Sequence, residues 1–339
     1  MSSIASEPEL LEAARRGEED AFRLIVGPHQ RELHAHCYRM LGSLHDAEDA
    51  LQDTLLRAWR GLPKFAGSGL VRPWLYRIAT NVCLDAIARR SKRLPPDYGP
   101  GGEAHGGPGG PVHEPVWLEP YPDETLGLED GYTAPAARYE RRESVELAFI
   151  AALQHLPARQ RAVLILRDVL AFSAREVADL LEATVASVTS ALQRARKTMD
   201  ERLPEQSQQA TLRSLGDERI RDLVASFVDA WDSGDIDAIL SILTADLTFA
   251  MPPFTKRHRG RDAMAAFLPA PPVGRWRLVP VWANGQLAFG AYQWDARTGR
   301  HRAAVLDVVT LRGARIAAVT AFATPEIFPR FGLAHELLP

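Results

Sequence analysis

Apolar residues recur at helical spacing in two separate parts of the chain. Residues 8–93 contain three such segments, EDAFRLIVGPHQRELHAHCYRML, DAEDALQDTLLRAWRGL and RPWLYRIATNVCLDAIARR. The same i, i+3, i+4 spacing returns in residues 138–203. Because this spacing places apolar side chains on one face of a helix, both parts are predicted to be all-α.

The pattern changes after residue 204. Two helical segments, DERIRDLVASFVDAWDSG and DIDAILSIL, precede the alternating runs LTFAM, RWRLVPVWA, QLAFGAYQWD, RAAVLDVVTL and RIAAVTAFA. Alternation with period two predicts β-strands. The fold class is therefore predicted to be multidomain, with two all-α domains and a C-terminal α+β domain that contains a curved antiparallel sheet.

The segment between the two helical parts has a different composition. Residues 94–137 hold nine prolines, nine glycines and eight acidic residues, and no Lys or Arg. This composition predicts a flexible linker. Trp117 and Tyr121 are unusual in a solvated spacer, because aromatic side chains favour burial. They are candidates to anchor the linker on a domain of the same protein.

Charge is distributed unevenly, although the chain of 339 residues has a net charge of only −3. Residues 1–56 carry a net −6, and residues 57–93 carry a net +8. Such a change of sign within one helical region indicates two different partners, one of which is expected to be nucleic acid.

Several classes of protein are excluded by simple patterns. The two cysteines, Cys37 and Cys83, are far apart and fit no CxxC or zinc-binding spacing. We expect no metal and no other cofactor. The polar, acidic N-terminus does not resemble a signal peptide. No run of about 18 apolar residues occurs, so no membrane span is expected. We therefore expect a cytoplasmic, reduced location.

The helix predicted around residues 46–62 has two contrasting faces. Its apolar face is formed by Ala47, Leu51, Leu55, Ala58, Trp59 and Leu62. Its acidic side is formed by Asp46, Glu48, Asp49, Gln52 and Asp53. The acidic side alone permits two interpretations: a solvated surface stabilised by the helix dipole, or a binding surface for another protein.

The next helix, from Pro73, is predicted to be basic on its exposed side. Its buried stripe is formed by Leu75, Ile78, Ala79, Val82 and Ala86. The other side carries Arg77, Asn81, Asp85, Arg89, Arg90, Lys92 and Arg93. Basic and amide groups beside Trp74 and Tyr76 suit contacts to the DNA backbone and stacking on unpaired bases.

Residues 156–199 predict two helices joined by a short turn. Ser173 and Glu176 have the spacing of a capping box, and Thr184 is a candidate N-cap for the second helix. The exposed side of that helix would carry Ser187, Ser190, Arg194, Arg196 and Lys197. A helix-turn-helix that enters a major groove and a plain helical hairpin both fit this segment.

Taken together, these segments resemble the extracytoplasmic-function (ECF) class of bacterial RNA polymerase sigma factors. The resemblance is carried by DAEDALQDT…RAW, RPWLYRIATNVCLDAIARR and LPARQRAVLILRDVLAFSAREVADLL…VTSALQRAR, in that order. The resemblance implies region 2 at 8–93, a linker at 94–139 and region 4 at 140–203. It implies that Asp46, Glu48, Asp49, Gln52 and Asp53 bind core RNA polymerase. It implies that Trp74, Arg77, Asn81, Arg89 and Arg90 bind the −10 promoter element, and that the helix-turn-helix binds the −35 element as duplex DNA.

Residues 212–339 resemble a SnoaL-like domain, an α+β cone with a central cavity. Relatives of this fold include enzymes, and cavity-lining candidates here are Asp232, His258, Tyr292, Trp294, His301 and Asp307. No catalytic residue is assigned; a regulatory role in cis is favoured, through an intramolecular contact or a small-molecule ligand. The cluster Lys256, Arg257, His258, Arg259 and Arg261 is expected to be a solvated face.

Two alternatives stay open at this point. One is a ligand-sensing helix-turn-helix regulator that binds DNA without polymerase, which leaves the acidic helix unexplained. The other is a cyclase- or isomerase-type enzyme in the C-terminal domain. The first predicts binding to duplex promoter DNA by the protein alone, and the second predicts turnover by the C-terminal domain.

Overall fold

The computed structural model describes residues 6–65, 71–89, 118–126, 142–252, 257–268 and 276–338. The chain forms two compact units. The first contains Met1–Arg93 and Ile150–Leu203, and the second contains Leu94–Phe149 and Pro204–Pro339. The described parts of the first are helical, and the second combines helices with one sheet, which confirms the predicted fold class.

Five helices form the N-terminal part of the first unit: α1 (Glu7–Arg15), α2 (Glu19–Val26), α3 (Gln30–Leu41), α4 (Leu44–Gly61) and α5 (Val71–Arg89). The boundary between α3 and α4 follows from two residues. Gly42 takes a left-handed conformation with φ 70°, which ends α3. The Ser43 hydroxyl then accepts a hydrogen bond from the Asp46 amide and caps α4.

Among the described residues, the helices from position 147 to 200 are α6 (Leu147–Gln154), α7 (Ala158–Leu164), α8 (Ala174–Leu180) and α9 (Val185–Asp200). Ile165–Val169 continue α7 as a π-helical turn. The predicted capping box is confirmed: the Glu176 amide donates to the Ser173 hydroxyl at 3.2 Å, and the Glu176 carboxylate accepts from the Ser173 amide at 2.7 Å. The predicted N-cap at Thr184 is also confirmed, with the Ser187 amide as donor at 3.1 Å.

A buried arginine joins the two helical parts within the first unit. The guanidinium of Arg161 donates to the carbonyl oxygen of Met40 in α3. It also donates to the side-chain and backbone oxygens of Gln154, at 2.6 and 3.2 Å. Burial lowers the pKa of Arg161 to about 10. Removing this side chain would leave several buried carbonyl groups without a donor.

From residue 204 onward, the described residues of the second unit form the helices α10 (Gln208–Leu215), α11 (Asp217–Ser233), α12 (Ile236–Ile242) and α13 (Arg261–Phe267). Its strands are β1 (Leu243–Ala250), β2 (Arg257–Arg259), β3 (Trp276–Ala283), β4 (Gln286–Asp295), β5 (Arg300–Arg312), β6 (Arg315–Phe322) and β7 (Glu336–Leu337). The strand order is β2-β1-β6-β5-β4-β3, and β7 pairs with β5.

One pairing differs from the antiparallel sheet predicted from the sequence. β1 and β6 run parallel, with Phe249 opposite Val319, whereas the other described pairs are antiparallel. Parallel neighbours need a long crossover connection. Here the chain between β1 and β6 includes the whole β3–β5 meander, so alternation within single strands could not predict the pairing.

The two faces of the sheet pack against different elements. On the inner face, Phe289 packs against Phe227 of α11, with ring centroids 5.0 Å apart. On the outer face, Tyr292 packs against Phe328 of the 3₁₀ segment Pro325–Phe331, at 5.2 Å. Gly290 permits this outer packing, because a Cβ there would lie 2.6 Å from Leu333 Cδ1. None of the described helices is long and apolar enough to cross a membrane.

Candidate functional site

The acidic side of α4 is accessible at its centre, around Asp49 and Gln52. Asp49 and Gln52 are exposed, and Glu48 is half-buried. Asp53 forms an ion pair with Arg57 at 2.9 Å, and Arg57 also contacts Asp85 of α5 at 3.2 Å. Asp49 lies 3.7 Å from His45 Nε2, one turn before it on the same helix, and both side chains are exposed.

Asp46 does not belong to that exposed face. Its side chain is only 5% exposed, although helical periodicity placed it with Asp49 and Asp53. Sequence reasoning also missed Leu56, which lies three residues after Asp53 and is 54% exposed. An exposed leucine next to acidic groups supplies the apolar centre that a protein-binding surface uses.

Helix α5 presents most of the predicted DNA-binding side chains to solvent. Arg77, Asn81 and Arg89 are exposed, and the half-buried ring of Trp74 stacks on Phe65 at 4.6 Å. Tyr76, in contrast, is fully buried, and burial raises its pKa. It therefore serves the core rather than stacking on bases. Arg90 lies outside the described residues.

The helix-turn-helix half of the same unit contacts the basic side of α5. Arg77 forms an ion pair with Glu182, in the turn between α8 and α9. The guanidinium of Arg72 lies over the rings of Tyr76 and Phe172, at 5.1 and 4.6 Å. Part of the predicted −10 surface is therefore occupied by intramolecular contacts, which no local pattern could predict.

Helix α9 shows a division between neutral and basic residues on its exposed side. Ser187, Ser190, Arg194 and Lys197 are exposed as predicted. Arg196 is also exposed, but it forms two hydrogen bonds with Asp168, at 2.9 and 2.7 Å, and these raise its pKa. Sequence reasoning missed Val185, which begins the helix and is 47% exposed.

The linker segment 118–126 packs on the hairpin that joins β3 and β4. Asn284, at the hairpin tip, accepts a hydrogen bond from the Tyr121 amide at 2.8 Å and donates one from its own amide to the Tyr121 carbonyl at 2.8 Å. Its side-chain Nδ2 donates to the carbonyl of Val145 at 2.7 Å. Tyr121 is fully buried, which confirms it as an anchor; Trp117 lies outside the described residues.

Two buried carboxylates strengthen this contact. Asp123 accepts a hydrogen bond from the Gly285 amide at 2.8 Å, and burial raises its pKa to about 6. Glu146 accepts from the amides of Gln208 and Gln209, at 3.1 and 2.9 Å, and burial raises its pKa to about 7. We call the contacts of residues 118–126 and 142–147 with Asn284–Gln286 and Gln208–Gln209 the linker clamp.

The titratable candidates of the C-terminal domain do not converge on one point. Asp307 lies on the inner face of the sheet, opposite Phe289 and Ala321. Tyr292 lies on the outer face, where its hydroxyl donates to the Ala334 carbonyl at 2.8 Å. Asp232 is exposed. His258 packs between aromatic rings, His301 packs beside Trp294, and Lys256 lies outside the described residues.

Within the described residues, no group of three or more His, Cys, Asp or Glu side chains is placed to hold a metal ion. The two cysteines, which are far apart in sequence, are both buried and free. The thiol of Cys83 has its pKa raised chiefly by a hydrogen bond with Cys37, and burial adds to the effect. They therefore form part of the core of the first unit.

Comparison with known proteins fits this arrangement of domains. Family models match at residues 25–93 (Sigma-70 region 2), 146–199 (Sigma-70, region 4) and 224–319 (SnoaL-like domain). The ECF RNA polymerase sigma factor SigG of Mycobacterium tuberculosis is 42% identical over 332 residues, which cover 95% of this chain and 86% of SigG. The chain belongs to the ECF RNA polymerase sigma factor family.

Other ECF sigma factors match to different extents. SigJ of Mycobacterium tuberculosis is 26% identical over 88% of this chain and 90% of its own length. SigW of Bacillus subtilis is 28% identical but covers only 57% of this chain. The crystal structure of SigJ aligns with a TM-score of 0.56 at 23% identity, over 91% of this chain and all of SigJ, and shows the same fold. These relatives indicate a transcription factor.

Proposed function

We propose that this ECF sigma factor binds core RNA polymerase through the exposed part of the acidic side of α4. The observation that carries the proposal is the combination of Asp49, Gln52 and Leu56 on one accessible helix surface. Exposed carboxylates around an apolar side chain give a charge-complementary rim and a desolvated centre for a basic partner. Asp46 contributes by its place in the core of the first unit rather than by direct contact.

Promoter recognition is assigned to the other two surfaces. Arg77, Asn81 and Arg89 of α5, with Trp74, would bind the −10 element. The neutral first turn of α9 would face the base edges of the −35 element, and Arg194 and Lys197 would contact phosphates. Each surface is small, so both need the effective concentration that attachment to one polymerase supplies. The chain acts in the cytoplasm, binds no cofactor and performs no reaction of its own.

The intramolecular contacts support a closed form of the two sigma regions. The Arg77–Glu182 ion pair and the packing of Arg72 on Phe172 cover part of the −10 surface. Release of these contacts would make Arg77 available to DNA. Since exposed ion pairs are usually worth less than about 1 kcal/mol, polymerase binding can replace this pair at low cost.

The C-terminal domain is proposed to regulate activity in cis through the linker clamp. The clamp fixes residues 118–126 of the linker, and residues 142–147 directly after the linker, onto the SnoaL-like domain by buried hydrogen bonds. A ligand or partner that alters this domain would thereby change the freedom of the chain between regions 2 and 4. This proposal accounts for the length of the linker and for its buried aromatic anchor.

The polymerase assignment is tested by the double substitution Asp49→Lys and Gln52→Lys. Both positions are exposed and avoid the Asp53–Arg57 pair, so stability should change by under about 0.5 kcal/mol. We expect at least a tenfold loss of affinity for core polymerase in a binding titration, with matching loss of run-off transcription. The matched control is Asp20→Lys on α2, where the side chain is 91% exposed. Unchanged holoenzyme formation by the double variant would refute the assignment.

A further inference from the structure

Helix α1 precedes the part of the chain that matches the region 2 family model, which begins at residue 25. It is nevertheless packed into the first unit. At its start, the Glu9 carboxylate accepts hydrogen bonds from the Ser6 amide at 2.8 Å and the Ser6 hydroxyl at 3.0 Å. On its apolar face, Leu11 and Ala14 are buried. Because its start is capped and its apolar face is packed, α1 holds its last residue, Arg15, in a fixed place.

The guanidinium of Arg15 contacts the 3₁₀ turn Leu62–Lys64 and the residue after it, directly beyond α4. It donates a hydrogen bond to the carbonyl oxygen of Phe65, 50 residues away in the chain. It also donates to Glu12 on its own helix at 2.5 Å, and this contact sets its orientation. The Phe65 amide donates to the carbonyl of Leu62 at 3.1 Å, and Leu62 is fully buried. Both backbone polar groups of Phe65 are therefore fixed, one by Arg15 and one by Leu62.

The ring of Phe65 stacks on that of Trp74, near the start of α5. The ring centroids lie 4.6 Å apart, and the ring planes meet at 29°. Trp74 lies three and seven positions before Arg77 and Asn81, so these side chains share one face of α5. Both rings are half-buried, so each keeps part of its surface accessible. The aromatic pair therefore extends the proposed −10 surface from α5 towards the end of α4.

We propose that Arg15 is a positioning residue for −10 recognition, which fixes Phe65 so that the Phe65–Trp74 pair is preformed for stacking on an unpaired base. The proposal rests on the −10 role proposed for α5. Unpaired bases gain affinity by stacking on aromatic side chains. A ring that has to be ordered on binding contributes less affinity than a ring that is already in place. Arg15 thus contributes to DNA binding without touching DNA.

Two other roles for Arg15 lead to different expectations. If Arg15 only attached α1 to the unit, its loss would lower stability and would weaken binding equally at every −10 base. If Arg15 bound a phosphate group, its loss would also reduce the salt dependence of binding. The Glu12 carboxylate, whose side chain is 62% exposed, lies against the guanidinium and would repel such a phosphate. This charge arrangement favours the positioning role.

The test measures the coupling between Arg15 and single bases. Holoenzyme, formed from core polymerase and the full-length protein, is titrated with fork-junction DNA whose −10 non-template strand is unpaired. The sequence is taken from a promoter that wild-type holoenzyme selects from a random library, and abasic sites replace the −10 bases one at a time. At the stacked base, the abasic site should weaken binding about tenfold for wild type but less than about threefold for Arg15→Met and Trp74→Ala. At the other positions, the three proteins should lose affinity equally.

Three further variants complete the design. Arg15→Met should weaken binding to the intact fork about five- to tenfold, whereas Arg15→Lys, which keeps a donor, should stay within about threefold of wild type. Phe65→Leu removes the ring but keeps the carbonyl that Arg15 binds, so it decides the question if Arg15→Met fails to fold. It should lose the coupling at the same base as Trp74→Ala. Arg16→Met, at a side chain that is 65% exposed, is the matched control and should bind as wild type does.

The outcomes separate this proposal from the −10 assignment on which it rests. If Trp74→Ala abolishes the coupling at one base and Arg15→Met does not, the positioning role is wrong and the −10 assignment stands. If neither variant changes the loss at any −10 base, both are wrong. Full coupling in Phe65→Leu, or a reduced salt dependence in Arg15→Met, would also overturn the positioning role.

Discussion

Asn284→Ala should release the linker clamp, because one side chain supplies two of its hydrogen bonds. Asn284 is fully buried, with its Oδ1 facing the Tyr121 amide and its Nδ2 facing the Val145 carbonyl. Alanine would leave both backbone groups buried without a partner. It would also have to adopt φ near 57°, which asparagine tolerates better than alanine does.

The magnitude follows from these three losses. Each unpartnered buried backbone group costs about 1–3 kcal/mol, and the left-handed conformation costs alanine about 1 kcal/mol more. The total, about 3–7 kcal/mol, is comparable with the stability of a whole domain. We therefore expect the linker segments to detach from the C-terminal domain.

Amide hydrogen exchange measures this detachment directly. The informative reporter is the Leu147 amide, which donates to Gln286 Oε1 at 2.9 Å and makes no bond to Asn284. A loss of about 3 kcal/mol should speed its exchange by at least about a hundredfold. Gln293→Ala removes an exposed side-chain amide from β4, the strand that follows the hairpin tip; it is the matched control and should leave exchange unchanged.

Asn284→Gly distinguishes lost contacts from backbone strain. Glycine adopts positive φ freely, but it restores neither hydrogen bond. It should therefore release the clamp nearly as much as alanine does. Slow, wild-type exchange at Leu147 in the glycine variant would refute the reasoning, since the effect of alanine would then be strain at the hairpin.

Two further predictions concern Asp307 and Val185. The pKa of Asp307 is higher in the folded than in the unfolded chain, so the stability gained from its protonated form is present at low pH and is lost as pH rises through about 7. The loss amounts to about 4 kcal/mol at most, and Asp307→Asn should remove it. Equal slopes of unfolding free energy against pH for the wild type and Asp307→Asn would contradict this. Val185, exposed at the first turn of the proposed recognition helix, is expected to contact a thymine methyl group in the −35 element. Replacing that thymine by uracil in a selected promoter should weaken holoenzyme binding about three- to fivefold for wild type but not for Val185→Ala, and equal losses in both would exclude the contact.

Local signals in the sequence predicted local structure correctly. The capping box at Ser173 and the N-cap at Thr184 depend only on residues within one helical turn, and both are present. Alternation along β5 placed Asp307 on the same face as Val305 and Val309, as the register shows. The burial of Tyr121 was predicted because an aromatic side chain is unusual in a segment whose composition otherwise suits a solvated linker.

What the sequence could not predict depends on contacts between distant segments. Asp46 and Tyr76 lie at helix positions whose burial is decided by neighbouring helices rather than by periodicity. Arg196 was expected to face DNA, but it is held by Asp168, 28 residues away. The parallel pairing of β1 with β6 likewise joins strands separated by most of the domain. The DNA- and polymerase-binding roles stay predictions.

The hairpin tip in the clamp also has a chemical consequence. Asn-Gly is the dipeptide most prone to deamidation, in which the glycine nitrogen attacks the asparagine Cγ, ammonia leaves, and the resulting succinimide hydrolyses to aspartate or isoaspartate. In the clamp, the Gly285 nitrogen donates to Asp123 and both φ angles are fixed at positive values, so the attack geometry is withheld. Whenever the linker detaches, Asn284 can therefore deamidate irreversibly. The resulting aspartate or isoaspartate has no Nδ2 donor for the Val145 carbonyl.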